Sequence, residues 1–253
     1  MSARPPSPAD ARPRARAAVL VSGGGSNLQA LLDHLDALGD ARAADVVLVA
    51  ADRPQAGALA RASARGIRVA VLDAPGDAAA LDALLTGHAV DLVVLAGYLK
   101  LVPAEVTRRF RGRMLNVHPA LLPAFGGPGM YGARVHRAVL AAGARVSGPT
   151  VHFVDEHYDR GAIIAQWPVP VSALDTPETL AARVLRAEHA LLPRAVQALA
   201  AGTLTLDAEG RAAGVFFLPT DLPPFALASA ADAGAALALD LDRALAAPPH
   251  APT

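Results

Sequence analysis

The sequence predicts an α/β protein with an open, mostly parallel twisted sheet, helices on both faces and antiparallel strands at one edge. Two observations predict this class. From residue 17 to residue 142, short apolar runs alternate with segments of helical periodicity, as in a parallel sheet with crossover helices. Two later runs, 145–154 and 163–169, show β-branched alternation without an intervening helix, which predicts an added antiparallel pair.

The first unit is a strand, a glycine turn and a helix. The apolar run 17–21 ends in the turn 22–27 (SGGGSN), and leucines recur at helical spacing over 28–35. Strands at 45–50, 67–72 and 91–96 and helices at 57–65 and 78–85 continue the alternation. Gly66 is expected to end the first of these helices. The run 91–96 is apolar after its first residue, which is typical of strands buried on both faces.

The second half completes the sheet. A proline in the first turn predicts a helix at 103–109, and a fifth strand follows at 114–118. A helix at 132–142 precedes the two β-branched runs. The last helix is expected to begin after a Thr176 cap and to run to residue 201.

Both ends of the chain depart from this alternation. Residues 1–16 hold four prolines and four arginines without apolar periodicity, which predicts a disordered arm. Residues 219–253 are rich in alanine and proline, which predicts a low-complexity tail. The folded domain is therefore expected at 17–218.

The composition of the 253 residues excludes several functional classes. Lys plus Arg equals Asp plus Glu at 23 each, so no basic field favours nucleic acid or anionic membranes. No cysteine is present, which removes zinc–thiolate sites and thiol nucleophiles. No apolar run reaches the roughly 20 residues of a membrane helix, and residues 1–16 lack a signal-peptide core. We expect a cytoplasmic protein that acts on small molecules, with no nucleic-acid or membrane partner.

The turn 22–27 precedes a helix whose N-terminal N–H groups and dipole favour an anion. A dinucleotide site would need a third glycine, where Leu28 and Gln29 lie, and an acid after the second strand, for which Asp52 is a candidate. A nucleotide P-loop is excluded because no Lys-Ser/Thr follows the turn. The motif supports equally a mononucleotide or sugar-phosphate site and a turn that binds nothing.

Asn116 and His118 lie two positions apart at the end of the fifth strand, so their side chains face the same way. The proline turn after them places both at the carboxyl edge, where open α/β sheets bind ligands. Asn offers a neutral donor, and His can carry a proton to a developing oxyanion or a leaving group. The same residues are equally consistent with a His118 whose only role is to hold a loop through hydrogen bonds.

The stretch 151–161 contains His152, Asp155, His157 and Asp159. These are residue types that bind metals, but their spacing matches no strong metal signature. A polar turn between two strands is the favoured interpretation.

Five segments, taken together and in order, closely resemble the folate-dependent phosphoribosylglycinamide formyltransferases of purine synthesis. They are 22–30 (SGGGSNLQA), 95–100 (LAGYLK), 115–123 (LNVHPALLP), 148–155 (GPTVHFVD) and Glu188-His189. The resemblance implies a Rossmann-like formyltransferase fold. It also implies transfer of a formyl group from 10-formyltetrahydrofolate to the amine of glycinamide ribonucleotide, without a metal. We expect a monomer or a homodimer.

The resemblance also implies residue roles. The catalytic trio falls on Asn116, His118 and Asp159: Asn116 and a charged His118 donate to the carbonyl oxygen, and Asp159 favours that charge and assists proton removal. The residues implied to hold glycinamide ribonucleotide are Gly25, Ser26, Asn27 and Glu188. The residues implied to hold folate are Leu99, Lys100, Leu101 and Val102, together with Asn116, Asp155 and Asp159.

Two departures from the family pattern concern the folate tail. The Arg usual at the start of the helix at 78–85 is absent, and Lys100 replaces an Arg, which loses the planar fork. Three rival functions remain: a methionyl-tRNA formyltransferase, a formyltetrahydrofolate hydrolase and an inactive sugar-phosphate binding protein. The first two would need a further domain, for which 1–16 and 219–253 are too short, and the intact trio argues against the third.

Overall fold

A computed structural model describes residues 13–214 and 227–228. Residues 1–12 of the predicted arm, and the predicted tail apart from 227–228, lie outside the described residues. The strands are β1 (Ala15–Val21), β2 (Ala44–Ala51), β3 (Arg68–Val71), β4 (Leu92–Leu95), β5 (Met114–His118), β6 (Val146–Ser147), β7 (Thr150–Phe153), β8 (Ile163–Gln166), β9 (Val169–Pro170), β10 (Leu204–Leu206), β11 (Ala212–Gly214) and β12 (Leu227–Ala228). The helices are α1 (Ser26–Leu38), α2 (Gly57–Ala64), α3 (Ala78–Gly87), α4 (Ala104–Arg109), α5 (Ala133–Ala141) and α6 (Pro177–Ala201), with a 3₁₀ turn at Gly39–Ala41.

The main sheet has the strand order β12-β8-β7-β5-β4-β1-β2-β3. The five strands from β3 to β5 are all parallel, and β7, β8 and β12 extend the sheet beyond β5 as antiparallel strands. This is the predicted α/β class, with a Rossmann-like arrangement of its parallel half. Because β1 lies between β2 and β4, the direction of winding reverses there, and the loops after β1, β4 and β5 surround one crevice.

The two faces of the sheet bury alternate residues of each strand. Along β1, Ala17, Val19 and Val21 pack with apolar residues of α1, α2 and α6, whereas Ala18 and Leu20 pack with those of α3 and α4. Helices therefore cover both faces, as the sequence predicts. None of the described helices is long and apolar enough to cross a membrane.

The predicted helix ends are confirmed. Gly66, with φ +69°, follows α2 in the left-handed region that favours glycine. Thr176 caps α6: its Oγ1 accepts from Thr179 N at 3.3 Å, and Thr179 Oγ1 accepts from Thr176 N at 2.9 Å. Asp77 caps α3 by accepting from Ala80 N at 2.9 Å. These caps fix the ends of helices on both faces of the sheet.

The predicted strand at 145–154 is wrong as a single element. A Cβ on Gly148 would lie 1.8 Å from the carbonyl oxygen of Trp167, and this close approach divides the run into β6 and β7. β6 pairs with β9 in a separate two-stranded sheet, while β7 and β8 form the expected antiparallel pair. The hairpin of β10 and β11 has no sequence counterpart among the predicted elements, because strands of three residues carry little periodicity.

Candidate active site

The glycine turn is held by α2. Ala58 N donates to the carbonyl oxygen of Gly23 at 3.2 Å, and Arg61 Nε donates to that of Gly24 at 2.8 Å. Gly25 has φ +78°, and a Cβ there would lie 2.6 Å from Ala58 Cβ. The carbonyls of Gly23 and Gly24 thus accept from α2, while the N–H groups of the three glycines have no acceptor among the described residues. These N–H groups, with the N-terminus of α1, form a concavity suited to an anion.

Asp52, the acid that a dinucleotide site would require, is paired with Arg53. The Asp52 carboxylate is fully buried, and Arg53 donates to both of its oxygens at 2.8 and 2.9 Å. It therefore offers no exposed oxygen to a ribose, and the dinucleotide interpretation fails.

Asn27 and Glu188 meet across α1 and α6. The Asn27 amide donates to Glu188 Oε2 at 2.6 Å, although the two residues are 161 positions apart. Both side chains are buried, and burial raises the pKa of Glu188 despite the hydrogen bond from Asn27. Both residues line the large cavity described below. The structure thus brings together two of the residues implied to hold the ribonucleotide.

Asn116, His118 and Asp159 converge at the end of β5. Asn116 Nδ2 donates to Asp159 Oδ1 at 3.4 Å, and Asp159 Oδ2 lies 3.4 Å from His118 Nδ1. The period-two argument placed Asn116 and His118 on the same side of the strand, and both indeed approach one carboxylate. The three side chains therefore form one polar cluster.

His118 differs from the expectation of a charged imidazole. Burial lowers the pKa of His118, and this effect outweighs the Asp159 charge and the hydrogen bond to the carbonyl of Phe125. That carbonyl lies 2.8 Å from Nε2 and can only accept, so Nε2 carries a proton. The imidazole is therefore neutral at neutral pH, with Nδ1 as the nitrogen that titrates.

Asp159 is held in an uncommon backbone conformation with φ +55°. Its Oδ2 accepts from Gly127 N at 2.9 Å, which ties the loop after β5 to the loop after β7. Burial works against ionisation of this carboxyl, but His152, His118 and the Gly127 N–H together lower its pKa. Asp159 is therefore a carboxylate at neutral pH.

His152 is a member of the cluster that the sequence did not single out for it. In the antiparallel register of β5 and β7, His152 lies directly opposite Asn116. Its Nδ1 lies 2.7 Å from the carbonyl of Phe153, which fixes a proton there, and its Nε2 lies 3.0 Å from Asn116 Nδ2. Nε2 also lies 3.6 Å from Asp159 Oδ1, so His152 orients Asn116 beside this carboxylate. Among the described residues, no group of three or more His, Asp or Glu is arranged to hold a metal ion.

A cavity of about 510 Å³ opens over this cluster. The walls include all the residues implied to bind folate, namely Leu99, Lys100, Leu101, Val102, Asn116, Asp155 and Asp159. Asn27 and Glu188 lie on its lining, whereas Gly25 and Ser26 do not and belong to the glycine turn beside it. Leu99 and Leu101 are 36% and 43% exposed, which suits an apolar wall awaiting a ligand. The site therefore combines a polar centre, an apolar slot and a glycine turn whose N–H groups suit an anion.

Comparison with known proteins agrees with this geometry. A family described as formyl transferase matches residues 15–196. Chloroplastic phosphoribosylglycinamide formyltransferases of Vigna unguiculata and Arabidopsis thaliana are each 48% identical, over 192 and 193 residues and 74% of this chain. The chain spans 61% and 65% of the length of these relatives. The crystal structure of glycinamide ribonucleotide transformylase 1 from Symbiobacterium toebii is 39% identical with a TM-score of 0.72, covering 79% of this chain and 93% of that one.

The family match begins at the first residue of β1 and ends within α6. It contains the glycine turn, the Asn116 cluster and Glu188, so the matching region and the site coincide. The match covers more than half of the chain. This chain therefore belongs to the formyl transferase family.

Proposed function

We propose that the chain transfers the formyl group of 10-formyltetrahydrofolate to the amine of N1-(5-phosphoribosyl)glycinamide, a step of purine nucleotide synthesis. The observation that carries this proposal is the convergence of Asn116, His118 and Asp159 on a cavity that also reaches Asn27 and Glu188. A centre able to stabilise one oxyanion and to move one proton thus lies between two binding regions. The names of the relatives supply the identity of the transferase reaction.

Asn116 is the donor for the carbonyl oxygen of the formyl group. Negative charge gathers on that oxygen when the amine bonds to the formyl carbon, before the bond from this carbon to the donor nitrogen breaks. Nδ2 has two N–H bonds: His152 accepts one at 3.0 Å, and the other is directed to Asp159 at 3.4 Å. This second hydrogen bond is long, so its N–H is available to a ligand oxygen.

Asp159 and His118 handle the proton that leaves the amine. The lowered pKa keeps Asp159 ionised, so it can accept this proton directly or through a water. Its Oδ2 lies 3.4 Å from Nδ1 of the neutral His118, which can take the proton in turn. The same proton then passes to the nitrogen of the departing tetrahydrofolate, so one proton leaves the amine and one reaches the leaving group.

The two substrates use different surfaces. The ribonucleotide phosphate binds the N–H groups of the glycine turn, around Gly25 and Ser26, where the α1 dipole favours negative charge. Asn27 and Glu188 contact the rest of the ribonucleotide. The folate binds the slot of Leu99–Val102, Asp155 and Asp159, where apolar side chains and free backbone groups suit a flat heteroaromatic ring.

The test is a transfer assay with purified protein, the ribonucleotide and 10-formyltetrahydrofolate, followed by tetrahydrofolate release. We expect release only with both substrates. Equal release without the ribonucleotide would identify a hydrolase, and no release in either arm would refute the proposal.

The His118→Ala variant tests the assigned centre. We expect turnover to fall by about 10² or more, with the ribonucleotide KM within about twofold of the wild type. Asp45→Asn is the control. Asp45 lies at the start of β2, away from the site, in a surface ion pair with Arg42. Unchanged turnover of His118→Ala would remove this residue from the mechanism.

Location and assembly remain predictions of the sequence. We propose a cytoplasmic enzyme, monomeric or homodimeric, whose chemistry uses no metal. The two plant relatives carry the word chloroplastic in their names.

A further inference from the structure

The strip 97–102, which forms one wall of the folate slot, has little backbone support of its own. It contains no helix or strand. Among the described residues its only hydrogen bonds are made to Ser22: Ser22 N donates to the Gly97 carbonyl at 3.1 Å, and Leu99 N donates to Ser22 Oγ at 2.9 Å. Ser22 therefore determines where this strip lies, and within the described part of the chain the N–H and carbonyl groups of its later residues have no hydrogen-bond partner.

Asp52 lies beside Ser22, because Val21 and Ala51 are paired at the ends of β1 and β2 and Asp52 N donates to the Val21 carbonyl at 3.3 Å. The ion pair with Arg53 lowers the pKa of Asp52 against the effect of burial, and a hydrogen bond from Ser22 contributes to the same shift. An ionised carboxylate only accepts, so Asp52 favours a Ser22 hydroxyl that donates toward it and presents a lone pair to the Leu99 N–H. Arg53 holds the carboxylate by two hydrogen bonds, which prevents it from turning away.

The charge of Asp52 also reaches side chains of the strip. Burial, with a smaller contribution from Asp52, raises the pKa of Tyr98 to about 12. The positive charge of Lys100 in turn helps to lower the pKa of Asp52. The charge of Asp52 is thus felt by the strip, although the carboxylate is buried and does not line the slot.

We propose that Ser22 and Asp52 are positioning residues for the folate wall, holding the strip 97–102 in the conformation that receives the co-substrate. The identity of that ligand rests on the proposed function. Without the hydrogen bond that Ser22 Oγ accepts from Leu99 N, the strip would have to become ordered during binding, and this cost would appear as weaker folate affinity. The acid at the end of β2 therefore serves the folate slot through Ser22.

The test separates folate binding from ribonucleotide binding. We would measure KM for both substrates, kcat, and the equilibrium Kd for tetrahydrofolate in the wild type, Ser22→Ala, Ser22→Thr and Asp52→Ala. We expect Ser22→Ala and Asp52→Ala to raise the folate KM and Kd by about 10-fold, with kcat and the ribonucleotide KM within about twofold. Ser22→Thr keeps the hydroxyl and is expected to stay within about threefold.

Asp45→Asn is the control, because it removes a carboxylate at the far end of the same strand. Equal loss of affinity for both substrates, an unchanged folate Kd in folded variants, or a Ser22→Thr as weak as Ser22→Ala would each overturn the positioning role. If the alanine variants do not fold, Asp52→Asn replaces them, because it keeps the shape of the side chain. We expect this variant to raise the tetrahydrofolate Kd about threefold. The tetrahydrofolate Kd decides the positioning role even if the wild type transfers no formyl group to the ribonucleotide. A wild type that binds no tetrahydrofolate would refute both proposals.

Discussion

The two ends of the site are built differently. The glycine turn offers backbone N–H groups, whose direction is set by the conformation of Gly25 and by hydrogen bonds from α2. The Asn116 end offers side chains gathered around the buried carboxylate of Asp159. The comparison teaches that one end should respond to a change of shape and the other to a change of charge. Substitutions that alter only one property can therefore separate the two ends.

The largest effect is expected from Asp159→Asn, which changes charge with little change of shape. The amide oxygen can still accept from Gly127 N, but the side chain can no longer take a proton from the amine. We expect kcat to fall by about 10³, with the ribonucleotide KM within about threefold, in steady-state assays. Asp45→Asn serves as the charge-matched control. A kcat within tenfold of the wild type would show that another base removes the proton.

Gly25→Ala is the converse change, which alters shape without charge. The left-handed backbone and the 2.6 Å approach to Ala58 Cβ would force the turn to move. We expect the ribonucleotide KM to rise about 10-fold or more and the free energy of unfolding to fall by about 1–3 kcal/mol, as measured by kinetics and urea denaturation. Gly76→Ala is the control, because a Cβ there meets no atom within 4 Å. An equal rise in the KM values for folate and for the ribonucleotide would mean that the glycine turn does not bind the ribonucleotide alone.

The same contrast explains how much of the site the sequence could predict. The glycine turn and the pair of Asn116 and His118 are local patterns, so spacing alone located them. Asp159 lies 43 positions from Asn116 and entered only through the family resemblance. His152 was missed as a partner of Asn116 because the sequence does not determine the register of β5 against β7.

The fold shows the same division. Strands β1 to β5 are predicted from apolar runs that alternate with helical periodicity, and the observed bounds differ from the predicted ones by at most two residues. The prolines and arginines of 1–16, without apolar periodicity, predict a disordered arm, yet Ala15 and Arg16 begin β1, and Ala15 N donates to the Ala43 carbonyl at 2.8 Å. The short strands β6 and β9–β11 have only two or three residues each, too few to show a period. The neutral state of His118 depends on packing, which no local pattern reveals.

The smallest effects are expected from a change of pH, which alters the protonation of buried histidines without changing the sequence. Burial lowers the pKa values of His34, His118, His136 and His189. Below pH 6.5 the unfolded chain therefore binds protons that the folded chain does not, and stability falls as the pH drops from 6.5 through the folded pKa values. We expect a lower urea midpoint at pH 5.5 than at pH 7.5, and a smaller difference in His118→Gln. The raised pKa of Glu188 acts in the opposite sense, so the comparison with His118→Gln isolates the histidine, and an equal pH difference in the two proteins would contradict the burial effect on His118.

Titration of His118 itself, followed by NMR of the ring protons, sharpens the comparison further. We expect a pKa below 6.5, because burial outweighs the attraction of Asp159. Asp159→Asn removes that attraction and should lower the pKa again, whereas Gly25→Ala should leave it unchanged because it acts on the other end. A pKa above 6.5 in the wild type would show that Asp159 outweighs burial, and His118 would then enter the reaction as the charged donor expected from the sequence. The direction of this one titration thus decides whether His118 enters the reaction as the acceptor of a proton passed on by Asp159 or as the donor of its own.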